Sequence, residues 1–426
     1  MTLAAPPILG NAAVPADLLA RAHGAARQLA GRGIGVGARV AVDSADVLPW
    51  LLGADLLGAA TLVVEPSWSP RERAAVLADA APDTLVTGSP APTHDGVTPR
   101  GDDATQFYLA TTSGSSGRPK VLVRTRASWL RSFAALGAVP SPVLIAGPLS
   151  SSLFTFGALH ALWCGAELRL QPRWRPEQAR AAATVHVVPA MLAALLAELD
   201  RRPGGCALRT VVCGGAHLGA ELRARFARLL PHAELIEYYG SAEQSLIALR
   251  RGGDEALCPV PDVELDVRDG ELWVHSPLAF SGYLRAGRLD ATPVWSSVGD
   301  RAELSASGAL TVHGRSAAMV SSGGRLVPAE EVEAVLRAVP GVRDVLVAGT
   351  PHGTLGAVVT AIVEADVPPS LRELRASARA GLAPGKRPRR WLVTKELPRT
   401  AAGKPARATA TAQLRDGTFP AEPLYD

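Results

Sequence analysis

Lysine is the scarcest charge in this sequence: of 44 lysines and arginines, only Lys120, Lys386, Lys395 and Lys404 are lysine. A flexible ammonium and a planar guanidinium are not interchangeable, so the positions that keep lysine mark themselves. Two of them, Lys120 and Lys404, end loops of glycine and small residues. Cysteine is sparse as well. Cys164, Cys206, Cys213 and Cys258 form no CxxC pair and no metal spacing, which excludes a disulfide scaffold and reads as thiols of a reducing cytoplasm. No basic block interleaved with aromatics occurs and the net charge of +4 is spread thinly, so nucleic acid is not the expected partner. The first twenty residues carry no Lys or Arg and so lack the positively charged start of a secretory signal. The most apolar stretch, Val47 to Val64, is broken by Pro49 and Asp55; it predicts a buried helix running into a strand, not a membrane span.

What is present describes a globular enzyme-sized chain. Apolar content of 47% with 20% charged residues suits a soluble protein, and 426 residues suit two or three domains. The chain is organised around Thr111-Thr112-Ser113-Gly114-Ser115-Ser116-Gly117-Arg118-Pro119-Lys120. Residues 106–110 before it and 121–123 after it have strand composition, so the loop joins two strands. Glycines let backbone N–H groups turn to an anion, hydroxyls add donors and the lysine adds charge, which is the chemistry of a polyphosphate cradle. It is not a Walker A loop, because Arg118-Pro119 precede the lysine and strand residues follow it. On composition alone the same stretch reads first as a flexible linker.

Around the loop, apolar periodicity switches repeatedly between strand and helix. Helices are predicted over 16–33, 48–57, 69–80, 154–163 and 190–199, and strands over 39–42, 60–64, 83–87, 143–146, 166–170, 185–188, 208–213 and 234–243. The alternation predicts a parallel sheet with helices on its faces. From Val263 the texture becomes β-rich. After Gly314-Arg315 a last region has its own βα alternation, with helices over 329–338 and 370–381. The expected class is therefore α/β: a large N-terminal domain, 1–314, of βα-layered sheets with a β-rich subdomain, then a small α+β domain, 315–426.

Six segments in order resemble the adenylate-forming superfamily of acyl-CoA synthetases, peptide-synthetase adenylation domains and luciferases. They are the loop Thr112 to Lys120, Tyr239-Gly240-Ser241-Ala242-Glu243, Val298-Gly299-Asp300, Gly314-Arg315, Gly324-Arg325 and the run from Leu397 to Lys404. The resemblance implies that a carboxylate attacks the α-phosphate of ATP and a thiol then captures the acyl-adenylate. It implies that Thr112, Ser113, Gly114, Ser115, Ser116, Gly117 and Lys120 hold phosphates, and that Glu243 binds Mg²⁺. Gly214, Gly215 and Ala216 with Tyr239 sandwich adenine beside Gly240 and Ser241, Asp300 accepts from the ribose hydroxyls, and Arg315 holds ribose or phosphate. Lys404, on a mobile C-terminal lid, reaches the α-phosphate and the substrate carboxylate. The implied cofactors are ATP, Mg²⁺ and coenzyme A, or a carrier-protein phosphopantetheine.

Four positions depart from the family pattern. Ala242 stands where a threonine is usual, Ser316-Ala317-Ala318 leave the hinge uncharged, Ser321 replaces a lysine, and Arg126 replaces a histidine. These bear more on the thioester step than on adenylation. The acyl group is expected between residues 148–157, the helix near Ala190, the Gly214 strand end and the Tyr239 loop. Ser150-Ser151-Ser152 carry no charge there, which disfavours an α-amino acid, while Leu153, Phe154, Phe156 and Trp163 suit an apolar or aromatic acyl group or the core. The short stretch before the cradle resembles that of compact acyl-CoA and o-succinylbenzoyl-CoA ligases. Alternatives are transfer to a carrier protein, met by Arg387, Arg389 and Arg390, and a non-catalytic nucleotide or acyl-adenylate binder.

Overall fold

The computed structural model describes residues 4–10, 13–112, 119–215, 218–315, 319–353, 355–398 and 407–425, without the side chains of Ala190, Glu221, Val298, His313, Arg315, Glu330 and Ala408. Of the expected site residues, Ser113, Gly114, Ser115, Ser116, Gly117, Ala216 and Lys404 therefore lie outside the described residues, as do the Arg315 side chain and the hinge 316–318.

The chain divides into two compact units, one of Met1–Pro66, Val76–Thr112 and Lys120–Gly314, the other including Ser67–Ala75 and Arg315–Asp426. The first unit is built on two seven-stranded sheets. Short apolar runs such as Val40-Ala41-Val42 and Val185 to Val187 are buried, as strands covered on both faces must be. In the first sheet Thr84–Thr87, Arg39–Asp43, Ala60–Val63 and Gln106–Thr112 run parallel. Beyond them Lys120–Thr125, Gly282–Arg285 and Arg288–Ala291 are antiparallel. The expected parallel sheet is thus present and turns antiparallel at the cradle for a physical reason. Thr112 pairs directly with Lys120, and the loop between them is too short for the dozen or more residues a parallel crossover needs.

The second sheet places Leu168–Gln171, Val143–Ala146, Thr184–Val187, Thr210–Cys213 and Glu234–Ser241 in parallel, then adds Ser245–Arg251 and Cys258–Pro259 antiparallel. Thr112, Gly214 and the Tyr239–Ser241 segment all stand at carboxyl ends of parallel strands, where open α/β sheets take ligands. A four-stranded antiparallel sheet, Glu264–Arg268, Glu271–His275, Ser296–Leu304 and Leu310–Arg315, forms the β-rich part.

The second unit pairs Met319–Ser322 with Arg325–Pro328 and carries a four-stranded sheet of Asp344–His352, Gly356–Glu364, Arg390–Thr394 and Glu422–Pro423. Helices Ala329–Arg337 and Leu371–Gly381 bury Val332, Leu336, Leu371, Leu374 and Ala378 in its core. Ser370 and Glu373 form a reciprocal capping box that starts the second helix. Lys386 has a structural use here: its ammonium donates to both Glu331 carboxylate oxygens at 2.9 and 3.0 Å. Among the described residues no helix is long and apolar enough to cross a membrane.

Candidate active site

The strand Glu234–Ser241 ends in a tight reversal that presents Glu243. Ser241 pairs with Ser245, the ladder shifts between Tyr239 and Gly240, and Ser245 takes φ 58°. Gly240 is required: a Cβ there would lie 2.0 Å from the Ser245 carbonyl oxygen. The Ser241 hydroxyl oxygen accepts from the Gln244 N–H at 3.0 Å, which leaves its proton to donate outward.

A buried arginine holds this turn from below. Arg124 is 1% exposed and donates to the carbonyls of Ala242 at 3.2 Å, Glu243 at 3.0 Å and Leu278 at 2.5 Å. The Phe280 N–H donates to the same Glu243 carbonyl at 2.7 Å. Burial pushes the Arg124 guanidinium down to about 9, and the Glu243 carboxylate opposes that shift. Sequence reading passed over Arg124; the available signal was a charge inside the apolar strand Val121 to Val123.

Tyr283, also overlooked, links Glu243 to the cradle. Its hydroxyl donates to Glu243 Oε1 at 3.2 Å, and Lys120 Nζ sits 4.9 Å from the centre of its ring. Phe280 packs edge-on against the same ring at 4.9 Å. The ring thus stands between the Lys120 ammonium, on the first sheet, and the Glu243 carboxylate, in the turn that follows a strand of the second. No group of three or more His, Cys, Asp or Glu among the described residues could hold a metal ion. A single carboxylate nevertheless fits Mg²⁺, which takes its other ligands from phosphate oxygens and water.

Asp300 and Tyr239 are brought together. The Tyr239 hydroxyl donates to Asp300 Oδ2 at 2.6 Å, and Asp300 is 8% exposed after Gly299, which takes φ 78°. Gly214 meets the neighbouring tyrosine instead: a Cβ there would lie 2.2 Å from the Tyr238 ring. Gly215, at φ 79°, lies against Leu153.

One expectation is corrected. Ser150 does have a charge beside it, because its hydroxyl donates to Glu65 Oε2 at 2.5 Å from the end of the neighbouring sheet. The argument against an α-amino acid from an uncharged serine run therefore does not hold. Arg126, which stands where the family has a histidine, is 1% exposed and pairs with the fully buried Asp55, Nε to Oδ1 at 2.7 Å. Its departure from the family histidine is taken up by a buried ion pair.

Along the helix Ser152–Trp163, Phe154 lies flat against Gly147, where a Cβ would meet its ring at 2.1 Å. Phe156 packs with Trp129 at 5.4 Å and Phe133 at 5.0 Å, and Trp163 with Phe133 at 6.0 Å. In the second unit Arg389 and Arg390 are exposed, whereas Arg387 donates to the carbonyls of Leu382 and Arg379.

The sequence matches the family model for AMP-binding enzyme over residues 90–284 and the model for AMP-binding enzyme C-terminal domain over residues 331–404. An uncharacterized acyl-CoA ligase of Bacillus subtilis is 28% identical over 438 residues, 89% of this chain and 88% of that protein. The amide bond synthetase of Marinactinospora thermotolerans superposes with a TM-score of 0.83 at 25% identity, covering 94% of each chain. The o-succinylbenzoate CoA synthetase of Bacillus subtilis, as a double mutant, shares the fold at the same TM-score of 0.83 and 24% identity, over 96% of this chain and 94% of that one. Two models of one enzyme family, matched in order along a chain that folds like these synthetases, establish that this protein belongs to the adenylate-forming AMP-binding enzymes.

Proposed function

We propose that this AMP-forming ligase activates an apolar or aromatic carboxylic acid with ATP to an acyl-adenylate and passes the acyl group to coenzyme A. The observation that carries the reading is the Tyr283 ring, with the Lys120 ammonium over its face and the Glu243 carboxylate on its hydroxyl. Both reactants of adenylation are anions, so the chain must chiefly neutralise charge and align groups. In this reading Thr112 and Lys120, with the hydroxyls and glycines between them, bind the β- and γ-phosphates, and Glu243 would hold Mg²⁺, which would supply positive charge against the phosphates. Asp300 accepts from the ribose, Gly214, Gly215 and Tyr239 flank the base, and Arg315 holds ribose or phosphate. Residues 315–426 act as a lid that brings Lys404 to the α-phosphate. Exposed Arg389 and Arg390 favour an acidic carrier protein as the second acceptor to test.

The test is carboxylate-dependent ATP–pyrophosphate exchange over an acid panel, followed by AMP release with coenzyme A or carrier protein. Exchange that coenzyme A does not convert to AMP release removes that thiol; no exchange with any acid leaves a nucleotide binder. Lys404→Ala should lower exchange about 100-fold, the loss usual for one preorganised charge donor, while ATP binding by calorimetry stays near wild type. Tyr283→Phe keeps the ring under Lys120 and removes the hydroxyl from Glu243. It should raise the Mn²⁺ concentration needed for half-saturation of the ATP complex by about fivefold, one hydrogen bond's worth, read by the paramagnetic signal of free Mn²⁺. An unchanged titration would remove Tyr283 from the metal-binding arrangement.

A further inference from the structure

Two buried histidines, one on the helix expected to line the acyl site and one on the strand beside it, lie next to each other. On Ser152–Trp163, the residues Ser152, Phe156, His160 and Trp163 recur at helical spacing and share a face. Ser152, Leu153, Phe154 and Phe156, near its start, and Trp163, at its end, are partly exposed, while His160 between them is fully buried. It meets His186 on the strand Thr184–Val187, 2% exposed, and Gly157 makes the room: a Cβ there would lie 2.9 Å from the His186 ring.

The hydrogen bonds settle what His160 can offer. Its Nε2 lies 2.8 Å from the Gly137 carbonyl, which only accepts, so Nε2 carries the proton and Nδ1 is a bare lone pair. Among the described residues His160 Nδ1 and His186 Nε2 are both buried without a hydrogen-bond partner, on rings whose centres are 6.0 Å apart. Buried polar atoms are almost always paired, and two orphans on adjacent rings point to a group that arrives from outside. The walls beside them are flat: Phe156 stacks on His160 at 6.1 Å and 12°, and Trp163 at 6.0 Å and 20°.

We infer that His160 Nδ1, with His186 Nε2 beside it, accepts a hydrogen bond from a ring hydroxyl or ring N–H carried by a planar aromatic acid at the end remote from its carboxylate. This rests on the ligase reading and names its substrate class. Burial pushes His160 down to about 4, with Arg251 adding to the effect, and His186 to about 3, with His160 adding. Cys164, whose sulfur is 3.5 Å from His160 Nε2, is held protonated by burial. Both rings therefore stay neutral at neutral pH, and the selectivity should not change between about pH 6 and 9.

Matched acids test this on the wild-type enzyme: cinnamic against 4-hydroxycinnamic, and 2-naphthoic against 6-hydroxy-2-naphthoic. In pyrophosphate exchange the hydroxylated member should have a kcat/KM about 10- to 100-fold higher, and 4-methoxycinnamic acid, which accepts but cannot donate, should fall with the unsubstituted acid. His160→Phe should erase the difference. Independently of turnover, the ¹⁵N resonance of His160 Nδ1 should move on saturation with the hydroxylated acid and not with its partner. Exchange with equal kcat/KM for both members would overturn the inference and leave the ligase reading standing. A histidine shift without exchange would keep the binding inference and sink the ligase reading. Neither exchange nor shift would sink both.

Discussion

Asp55→Ala will lower the free energy of unfolding by about 3–5 kcal/mol, the cost of stranding one member of a buried ion pair. Asp55 is fully buried and Arg126 is 1% exposed. One Asp55 oxygen takes the Arg126 Nε at 2.7 Å and the other takes the Ile8 N–H at 2.8 Å. A second guanidinium nitrogen donates to the Asp55 backbone carbonyl at 2.5 Å. Removing the carboxylate leaves a guanidinium with neither water nor counter-charge and an unpaired Ile8 N–H. The joint replacement Asp55→Leu with Arg126→Met should recover most of that loss, because the pair itself gains little over apolar packing. Urea unfolding of the wild type and these two variants measures this. A double variant as unstable as Asp55→Ala would mean that side-chain volume, not charge, sets the cost.

Acid should destabilise the protein through His160 and His186. An unfolded histidine titrates near 6.5, whereas burial holds these two at about 4 and about 3 in the fold. The folded state therefore binds fewer protons, so this contribution is complete above the unfolded value and is lost as pH falls through 6.5 toward the folded values. pH 5 lies about 1.5 units below the unfolded value and above both folded values, so the two together cost about 4 kcal/mol relative to pH 7. Denaturation midpoints at the two pH values give the slope. The variant carrying His160→Phe and His186→Phe should flatten it, and an unchanged slope would assign the acid sensitivity to other groups.

Legibility followed range along the chain. The helix predicted over 48–57 is Val47–Leu56, and the strands predicted on either side of the cradle loop are Gln106–Thr112 and Lys120–Thr125. Such elements are written in local periodicity. The strand expected over 234–243 stops at Ser241, because the turn that presents Glu243 needs the chain to reverse at Gly240 and Ser245. Arg124, Tyr283 and Glu65 were not legible, since each acts on a partner 40 to 119 positions away or farther along. Arg126 was visible as a departure, but its partner Asp55, 71 positions earlier, was visible only as a break in an apolar run.

The sequence by itself determined the α/β layering, the order of six short segments and the scarcity that singles out Lys120 and Lys404. Those are properties of spacing and composition, and neighbours in the chain suffice to express them. Tertiary structure alone decided which charge meets which: Glu65 on Ser150, Asp55 on Arg126, Tyr283 between Lys120 and Glu243, and two histidines facing each other without partners. The physical reason is that a side chain's partner is set by which strand ends the sheets bring together, and no local pattern records that.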